Sequence, residues 1–190
     1  MDQTLSGIVL AGGKSSRMGR DKAFITVRGK TLLQRQVDKL RAVGIEDIMI
    51  SGRESENLGR YVPDVYPDLG PLGGLHACLK SATGEACVVI SVDTPMIPTF
   101  ALNLLIGAFQ GSGYDAAVME NDDIIQPMIG VYSVSVLPAI DEMLQNGDSD
   151  IMGLLKKINT LYVPFMGDER LLEGCDTPEE LEELERIIDL

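Results

Sequence analysis

Residues 5–22 of this chain read LSGIVLAGGKSSRMGRDK, and this stretch decides the fold. Its first part, Leu5–Leu10, is a short apolar run that is typical of a buried parallel strand. The run is followed by Gly12 and Gly13, where the backbone can approach a ligand closely and consecutive N–H groups can form an anion-binding nest. The stretch therefore predicts a buried strand followed by a loop that holds a small anion.

The charge of the chain is distributed unevenly. Sixteen Lys and Arg residues against 29 Asp and Glu residues give a net charge of −13. Such a surface repels nucleic acid and anionic lipid, so neither is an expected partner. Six basic residues nevertheless gather at and after the loop: Lys14, Arg17, Arg20, Lys22, Arg28 and Lys30. Because Lys14, Arg17 and Lys22 could neutralise phosphate groups there, we expect a phosphorylated ligand at this loop.

Strand and helix patterns alternate along the rest of the chain. The predicted strands cover residues 5–10, 47–51, 62–65, 86–91, 115–119, 128–132 and 160–164. The predicted helices cover residues 31–43, 53–60, 72–81, 100–109, 135–145 and 151–157, and a last helix begins near residue 177. This alternation predicts an α/β fold with three layers, α/β/α, around a mostly parallel, Rossmann-like sheet.

Three informative segments begin where a predicted strand ends, namely after Leu10, Val65 and Ser91. In open α/β sheets, ligands bind outside the carboxyl ends of the strands, near the switch in strand order. We therefore expect these three segments to form one site.

Other features favour a simple intracellular protein. The cysteines Cys78, Cys87 and Cys175 have no metal-type spacing, which predicts buried, reduced thiols. His76 lies between apolar residues of a predicted helix and is expected to be a packed structural residue. No apolar run is long enough to cross a bilayer and no signal-peptide pattern is present, so we expect a cytoplasmic protein without a membrane partner.

Two familiar phosphate-binding motifs do not fit the loop. The triplet Gly13-Lys14-Ser15 imitates the ATPase phosphate loop, but that motif needs a glycine where Ile8 stands. A G-x-G-x-x-G dinucleotide fingerprint is absent from the loop as well. An ordinary strand-to-helix turn with surface basic residues is the alternative to a binding loop.

The loop as a whole resembles the signature of one enzyme family. Residues 10–22 fit L-A-G-G-x-S-x-R-M-G-x-D-K, which is similar to the signature of the molybdenum cofactor nucleotidyltransferases. Further segments occur in the family's order: GPLGG at 70–74, VDTP at 92–95, QP at 126–127 and DTPEE at 176–180. LAGG and GPLGG resemble the guanylyl-transferring members, the molybdopterin-guanine dinucleotide biosynthesis protein A family, more than the cytidylyl-transferring ones.

The resemblance implies a fold of the nucleotide-diphospho-sugar transferase type in a single domain over residues 1–190. Residues 1–110 would form the nucleotide-binding half and residues 111–190 the acceptor-binding half. The implied reaction transfers GMP from GTP to the terminal phosphate of molybdenum-molybdopterin, with Mg²⁺ as cofactor, and gives the guanine dinucleotide cofactor and pyrophosphate. Because this product is labile, we expect its handover to molybdoenzyme maturation proteins.

The resemblance also assigns site residues. Lys22 would contact the α-phosphate, Arg17 the leaving pyrophosphate, and Asp93 would bind Mg²⁺ during in-line attack. The expected nucleotide contacts are Leu10, Ala11, Gly12, Gly13, Lys22, Ser51, Asp68, Gly73 and Asp93. No general base is needed, because the attacking phosphate is already anionic.

Several of these assignments have a purely structural alternative. Asp93 could instead cap the following helix, and Asp68 could simply belong to a good turn. Gly73 and Gly74 are expected to let the base lie against the backbone.

Two segments depart from the family pattern. The chain has GDSD at 147–150, where a basic pair often follows the glycine, and GCDTP at 174–178 in place of Asn-x-Asn-Thr-Pro. Asp176 is either a second metal ligand or a residue that flanks the start of the last helix. These departures leave open the identity of the acceptor. A nucleotidyltransferase with another phosphorylated acceptor and a GTP-binding protein without transfer activity are the alternatives.

Overall fold

The computed structural model describes residues 3–12, 21–66 and 69–175, together with residues 180, 183 and 186. The strands are β1 (Leu5–Leu10), β2 (Thr26–Val27), β3 (Lys30–Thr31), β4 (Ile48–Ser51), β5 (Arg60–Val62), β6 (Ala86–Ser91), β7 (Ala116–Asn121), β8 (Ile124–Ser133) and β9 (Thr160–Pro164). The α-helices are α1 (Leu32–Ala42), α2 (Gly70–Ser81), α3 (Thr99–Phe109), α4 (Leu137–Gln145) and α5 (Ile151–Lys157). Short 3-10 helices cover Lys22–Phe24, Val134–Val136 and Glu169–Leu172.

Seven strands form one sheet in the order β5-β4-β1-β6-β8-β7-β9. Strand β8 is antiparallel to both of its neighbours, whereas the other neighbouring pairs are parallel. The chain first runs outward from β1 to β4 and β5, and then crosses through α2 to β6 on the other side of β1. The strand order therefore switches between β1 and β6.

Helices cover both faces of the sheet, as the alternation predicts. Apolar side chains of α1 and α3 pack on one face with residues such as Val9 and Val88. Those of α2, α4 and α5 pack on the other face with residues such as Ile8 and Val89. Neighbouring residues of β1 thus point into different cores because side chains alternate along a strand. The three-layer α/β fold is confirmed.

One predicted helix is wrong. Residues 53–59 form an irregular loop with a turn at 56–58 instead of a short helix, and the next strand covers Arg60–Val62 rather than residues 62–65. Asn57 has a φ of +65°, a left-handed conformation that a right-handed helix does not contain. The shorter strand pairs with β4 from Met49 to Ser51, so its end is level with the end of β4.

The β7–β8 hairpin is longer than predicted. Its turn residues Asp122 and Asp123 have φ values of +44° and +67°. Positive φ at both central residues gives the hairpin turn whose twist matches that of its strands, and it lets the pairing continue to Asn121 and Ile124. Aspartate tolerates this conformation less readily than glycine, and the sequence pattern therefore did not indicate the turn.

The last predicted helix lies largely outside the described residues. Residues 180, 183 and 186 are helical. Within the part of the chain that the structure describes, no helix combines the length and apolar character required to cross a membrane.

Candidate active site

The ends of four strands are level at the switch in strand order. In the parallel register, Leu10 of β1 pairs with both Ser51 of β4 and Ser91 of β6, and Ser51 pairs with Val62 of β5. The loops that follow these strands must leave the sheet side by side. This edge of the sheet is where open α/β sheets bind ligands.

The beginning of the glycine-rich loop lies directly against the loop after β4. The Ala11 N–H donates to the Ser51 carbonyl at 2.9 Å. Gly52 has a φ of +87°, and a Cβ atom on it would overlap the backbone of Gly12. Only glycine at position 52 allows this close approach. The Gly12 backbone itself is exposed at the edge of the sheet.

Lys22 returns to the same edge on a single 3-10 turn. Asp21 caps this turn by accepting a hydrogen bond from the Ala23 N–H at 3.2 Å. The second carboxylate oxygen of Asp21 forms an ion pair with Arg53, which follows β4. The base of the loop is thereby fixed to the neighbouring strand, and the Lys22 side chain is only 10% exposed.

The structure brings Lys22 and Asp93 together across the switch point. The Lys22 Nζ lies 3.0 Å from the Asp93 Oδ1, and the Asp93 side chain is 49% exposed. Helix α3 starts only at Thr99, with Pro98 at its cap position, so Asp93 does not cap this helix. The carboxylate is therefore open to a ligand on one side and faces a buried cation on the other.

A second carboxylate at this edge was not identified from the sequence. Asp64 lies two residues beyond the end of β5 and accepts a hydrogen bond from the Ser51 hydroxyl at 2.8 Å. It is exposed. Asp64 follows its strand by two residues, as Asp93 does, so its position indicates a site residue once the end of β5 is known.

The two glycines at the start of α2 allow close packing within the protein. A Cβ on Gly73 would lie 2.8 Å from the Tyr66 carbonyl oxygen, and a Cβ on Gly74 would overlap the Ser51 hydroxyl. The glycines bring α2 against the strand ends, which accounts for them without a ligand. Contact between Gly73 and the nucleotide stays a prediction.

The turn that carries Asp93 is fixed by side chains of α1. The Gln36 Nε2 donates to the carbonyl oxygens of Ser91 and, at 2.9 Å, Thr94. The Lys39 ammonium donates to the Pro95 carbonyl. Burial of this ammonium, together with repulsion from the nearby Arg35, lowers the pKa of Lys39 to about 7. None of these α1 residues was singled out from the sequence, because their targets are backbone atoms more than fifty residues away.

The end of the described chain also reaches this turn. The Cys175 N–H donates to the Asp93 carbonyl at 2.8 Å, and Cys175 is buried. The segment that departs from the family pattern at 174–178 therefore begins at the Asp93 turn.

His76 is a packed structural residue and the cysteines are buried, as predicted. His76 is buried in α2, and its Nε2 lies 2.8 Å from the Asp141 Oδ1 of α4. Cys78, Cys87 and Cys175 form no disulfide and are buried. Burial raises the pKa of both Cys78 and Cys87 to about 12, so these thiols are unreactive near neutral pH.

Four predicted site residues lie outside the described part of the chain: Gly13, Arg17, Asp68 and Asp176. Among the described residues, Leu10, Ala11, Gly12, Lys22, Ser51, Gly73 and Asp93 all lie at or beside the same edge of the sheet. No group of three or more His, Cys, Asp or Glu residues forms a metal cage within residues 3–12, 21–66 and 69–175. Of the two predicted metal ligands, Asp93 lies within the described residues and Asp176 does not.

A mostly parallel sheet with a lysine–carboxylate pair at its switch point defines an α/β protein with a charged edge where such folds bind ligands. Comparison with known proteins gives the class: this chain belongs to the MobA-like NTP transferase domain family, whose model matches residues 7–161. The chain is accordingly a nucleotidyltransferase.

Relatives and solved structures agree with this assignment. The chain is 36% identical to a probable molybdenum cofactor guanylyltransferase of Pelotomaculum thermopropionicum, over 83% of this chain and 78% of the relative. It is 33% identical to a molybdenum cofactor guanylyltransferase of Vibrio atlanticus, over 93% of each. The crystal structure of molybdopterin-guanine dinucleotide biosynthesis protein A from Archaeoglobus fulgidus has the same fold, with a TM-score of 0.82, 23% identity, and coverage of 97% of this chain and 98% of that one.

Proposed function

We propose that this chain is a molybdenum cofactor guanylyltransferase, which transfers GMP from GTP to the terminal phosphate of molybdenum-molybdopterin and releases pyrophosphate. The observation that carries the proposal is the Lys22–Asp93 pair at the switch point of a sheet of this family. Relatives that cover nearly the whole chain bear this name, and the proposal transfers their activity to it.

Lys22 and Asp93 would act on the phosphates electrostatically. The Lys22 ammonium is shielded from water and has little freedom to move, so it can stabilise negative charge at the α-phosphate without reorganising during the reaction. Arg17 would assist at the β- and γ-phosphates. Because a phosphate nucleophile is already ionised, a general base is unnecessary, and the only histidine, His76, is paired with Asp141 away from the site.

The residues present fit a magnesium ion. Asp93 offers a half-exposed carboxylate, and Mg²⁺ is commonly bound by one or two carboxylates together with substrate phosphates rather than by a protein cage. We propose that Asp93 holds the ion, with Asp176 as the candidate second ligand. When bound, Mg²⁺ would withdraw charge from the phosphates of GTP.

Residues at the ends of β4 and β5 are suited to the nucleoside part of GTP. The Gly12 backbone and the Asp64 carboxylate are exposed here, and the buried Ser51 hydroxyl holds Asp64 in place through a hydrogen bond. We propose that the two exposed groups bind the sugar and the guanine base, together with Asp68 and Gly73.

The acidic segment at 147–150 has a local structural reason. Asp150 caps α5 by accepting a hydrogen bond from the Met152 N–H at 3.0 Å, and Asp148 accepts one from the Asp150 N–H at 3.0 Å. Because both side chains support the start of α5, their acidity does not require a different acceptor. Molybdopterin is therefore our proposed acceptor. We further propose that the enzyme acts in the cytoplasm and passes its product to molybdoenzyme maturation proteins.

Pyrophosphate release tests the proposal directly. The purified protein is incubated with Mg²⁺, molybdenum-molybdopterin and either GTP, CTP or ATP. We expect release with GTP and at least tenfold slower release with CTP or ATP. If pyrophosphate is released from GTP only when another phosphorylated acceptor replaces molybdopterin, the acceptor proposed here is wrong. If GTP binds but no acceptor gives pyrophosphate release, the chain is a GTP-binding protein without transfer activity.

A further inference from the structure

Gln36 connects helix α1 to both ends of the turn that carries Asp93. Its Nε2 donates to the Ser91 carbonyl before Asp93 and to the Thr94 carbonyl after it, the latter at 2.9 Å. The side chain is fully buried. Both amide hydrogens are thus used to hold one short segment of backbone.

This arrangement is not explained by packing. Gln36 lies beside Leu33, Val37 and Leu40 on the buried face of α1, where glutamine is an uncommon residue. Its Oε1 atom is buried and accepts no hydrogen bond from the described residues. A buried acceptor without a donor destabilises the fold, so an apolar side chain would suit this position better if packing were its only role.

The backbone hydrogen bond that closes this turn is long, so support from outside the turn helps to fix it. The turn is closed by a hydrogen bond from the Thr94 N–H to the Ser91 carbonyl, with a nitrogen–oxygen distance of 3.4 Å. The Asp93 N–H is held at 3.1 Å by the Ser91 hydroxyl. Lys39, one helical turn after Gln36, gives a second contact through the Pro95 carbonyl. Helix α1 therefore fixes the Asp93 turn from two successive positions.

We propose that Gln36 is a positioning residue that sets the place of the Asp93 carboxylate, with Lys39 as a weaker second support. The proposal rests on the role of Asp93 in the transfer reaction proposed above. A displaced Asp93 would also release Lys22, since the two are ion-paired at 3.0 Å. One buried amide would thus control both charges at the reacting phosphates.

The experiment replaces Gln36 by a residue of similar length that donates no hydrogen bond. Gln36→Met should lower kcat for pyrophosphate release by about 10- to 100-fold, because small displacements of a catalytic group have effects of this size. The Mg²⁺ concentration that gives half the maximal rate should rise several-fold, which loss of stability alone would not cause. Gln34→Met is the matched control, since Gln34 lies on the same helix and its side chain, among the described residues, donates to Asp38 at 2.8 Å and not to the Asp93 turn.

The outcomes separate this inference from the proposed function. A folded Gln36→Met protein with kcat and Mg²⁺ dependence within twofold of the wild type would overturn the positioning role. If this variant does not fold, Lys39→Met decides, with a three- to tenfold lower kcat expected and an unchanged kcat overturning the proposal. An active Asp93→Asn protein would instead refute the role of Asp93 itself, and a wild-type protein without pyrophosphate release would refute the proposed function.

Discussion

The two ends of strand β1 carry polar clusters that are built from similar residues. At the N-terminal end, Asp47 accepts hydrogen bonds from the Ser6 hydroxyl at 2.7 Å, from the N–H and hydroxyl of Thr83, and from Arg60. At the C-terminal end, the Asp93 carboxylate has one hydrogen bond from a described residue, that from Lys22. Ser6 and Ser51 also correspond, because each donates its hydroxyl to an aspartate.

The difference between the clusters separates a structural carboxylate from one that is available to a ligand. Partial burial raises the pKa of Asp47, but the hydrogen bonds from Ser6, Thr83 and Arg60 outweigh it and lower the pKa to about 2. Its oxygens are occupied by the protein. Asp93 has half of its side chain exposed and lies at the edge of the sheet that faces ligands.

The largest expected effect is on Asp93. We predict that Asp93→Asn lowers kcat for pyrophosphate release by at least 10²- to 10³-fold, the size of effect seen when one group that stabilises a transition state is removed. Thermal unfolding should change little, because the side chain is half-exposed and the amide oxygen of the variant can still accept a hydrogen bond from Lys22. Turnover within tenfold of the wild type would show that the Asp93 carboxylate is not a catalytic group.

Asp47→Asn should have the opposite effect. The charge-assisted hydrogen bonds to Asp47 would be lost or weakened, and the free energy of unfolding should fall by about 2 kcal/mol. For a chain of this length, that corresponds to a decrease in Tm of about 4–8 °C. The kcat of the folded variant should equal that of the wild type. A reduced kcat with an unchanged Tm would show that Asp47 acts in catalysis, and Asp47 and Asp93 would then not differ in role.

The pH dependence of stability gives a smaller, separate test of the Asp47 cluster. The pKa of Asp47 is about 2 in the folded protein and near 3.8 in the unfolded chain. Its charge therefore stabilises the fold fully above about pH 4, and this stabilisation, about 1–2 kcal/mol, is lost as the pH falls towards 2. Urea unfolding at pH 6 and pH 2.5 should show the difference between wild type and Asp47→Asn shrinking at the lower pH. A difference that is constant over this range would show that the charge is not the cause.

The smallest expected effects come from the two serines. Ser6→Ala should lower the free energy of unfolding by about 1 kcal/mol, since Ser6 also accepts a hydrogen bond from the Gly84 N–H at 2.9 Å. Ser51→Ala should raise the KM for GTP about fivefold, the equivalent of one hydrogen bond, because it removes the hydroxyl that holds Asp64 in place, with little change in Tm. The pair is measured by thermal unfolding and by initial rates at varied GTP. If both variants change the KM for GTP equally, the two ends of β1 do not divide into a structural end and a ligand-binding end.

The fold was largely predictable because its strands are apolar and its helices amphipathic. The bounds of β1, β6, α5 and β9 were predicted from the sequence as the structure has them. The errors arose where the backbone adopts a positive φ at a residue other than glycine, at Asn57 and at the Asp122–Asp123 turn. Such conformations depend on the surrounding packing and leave only a weak signal in a single sequence.

The candidate site was predictable in part. Leu10, Ser51, Lys22 and Asp93 could be named because the resemblance to the nucleotidyltransferase family assigns them, and the glycines, basic residues and ends of apolar strands indicate the same edge. Gln36 and Asp64 could not be named. Gln36 acts on backbone carbonyls far along the chain, and Asp64 becomes significant only once β5 is known to end at Val62.

The sequence by itself determined the α/β class, the basic glycine-rich loop and the residue types that can hold a phosphorylated ligand, because these follow from local patterns of apolarity, glycine and charge. Only the tertiary structure decided which carboxylate is available. Asp47 and Asp93 each adjoin a buried strand, but parallel pairing in one register brings donors to Asp47 from three segments. Among the described residues, the Asp93 carboxylate is held by Lys22 alone and stays half-exposed. Register and crossover are properties of the whole sheet, and they set the surroundings of each side chain.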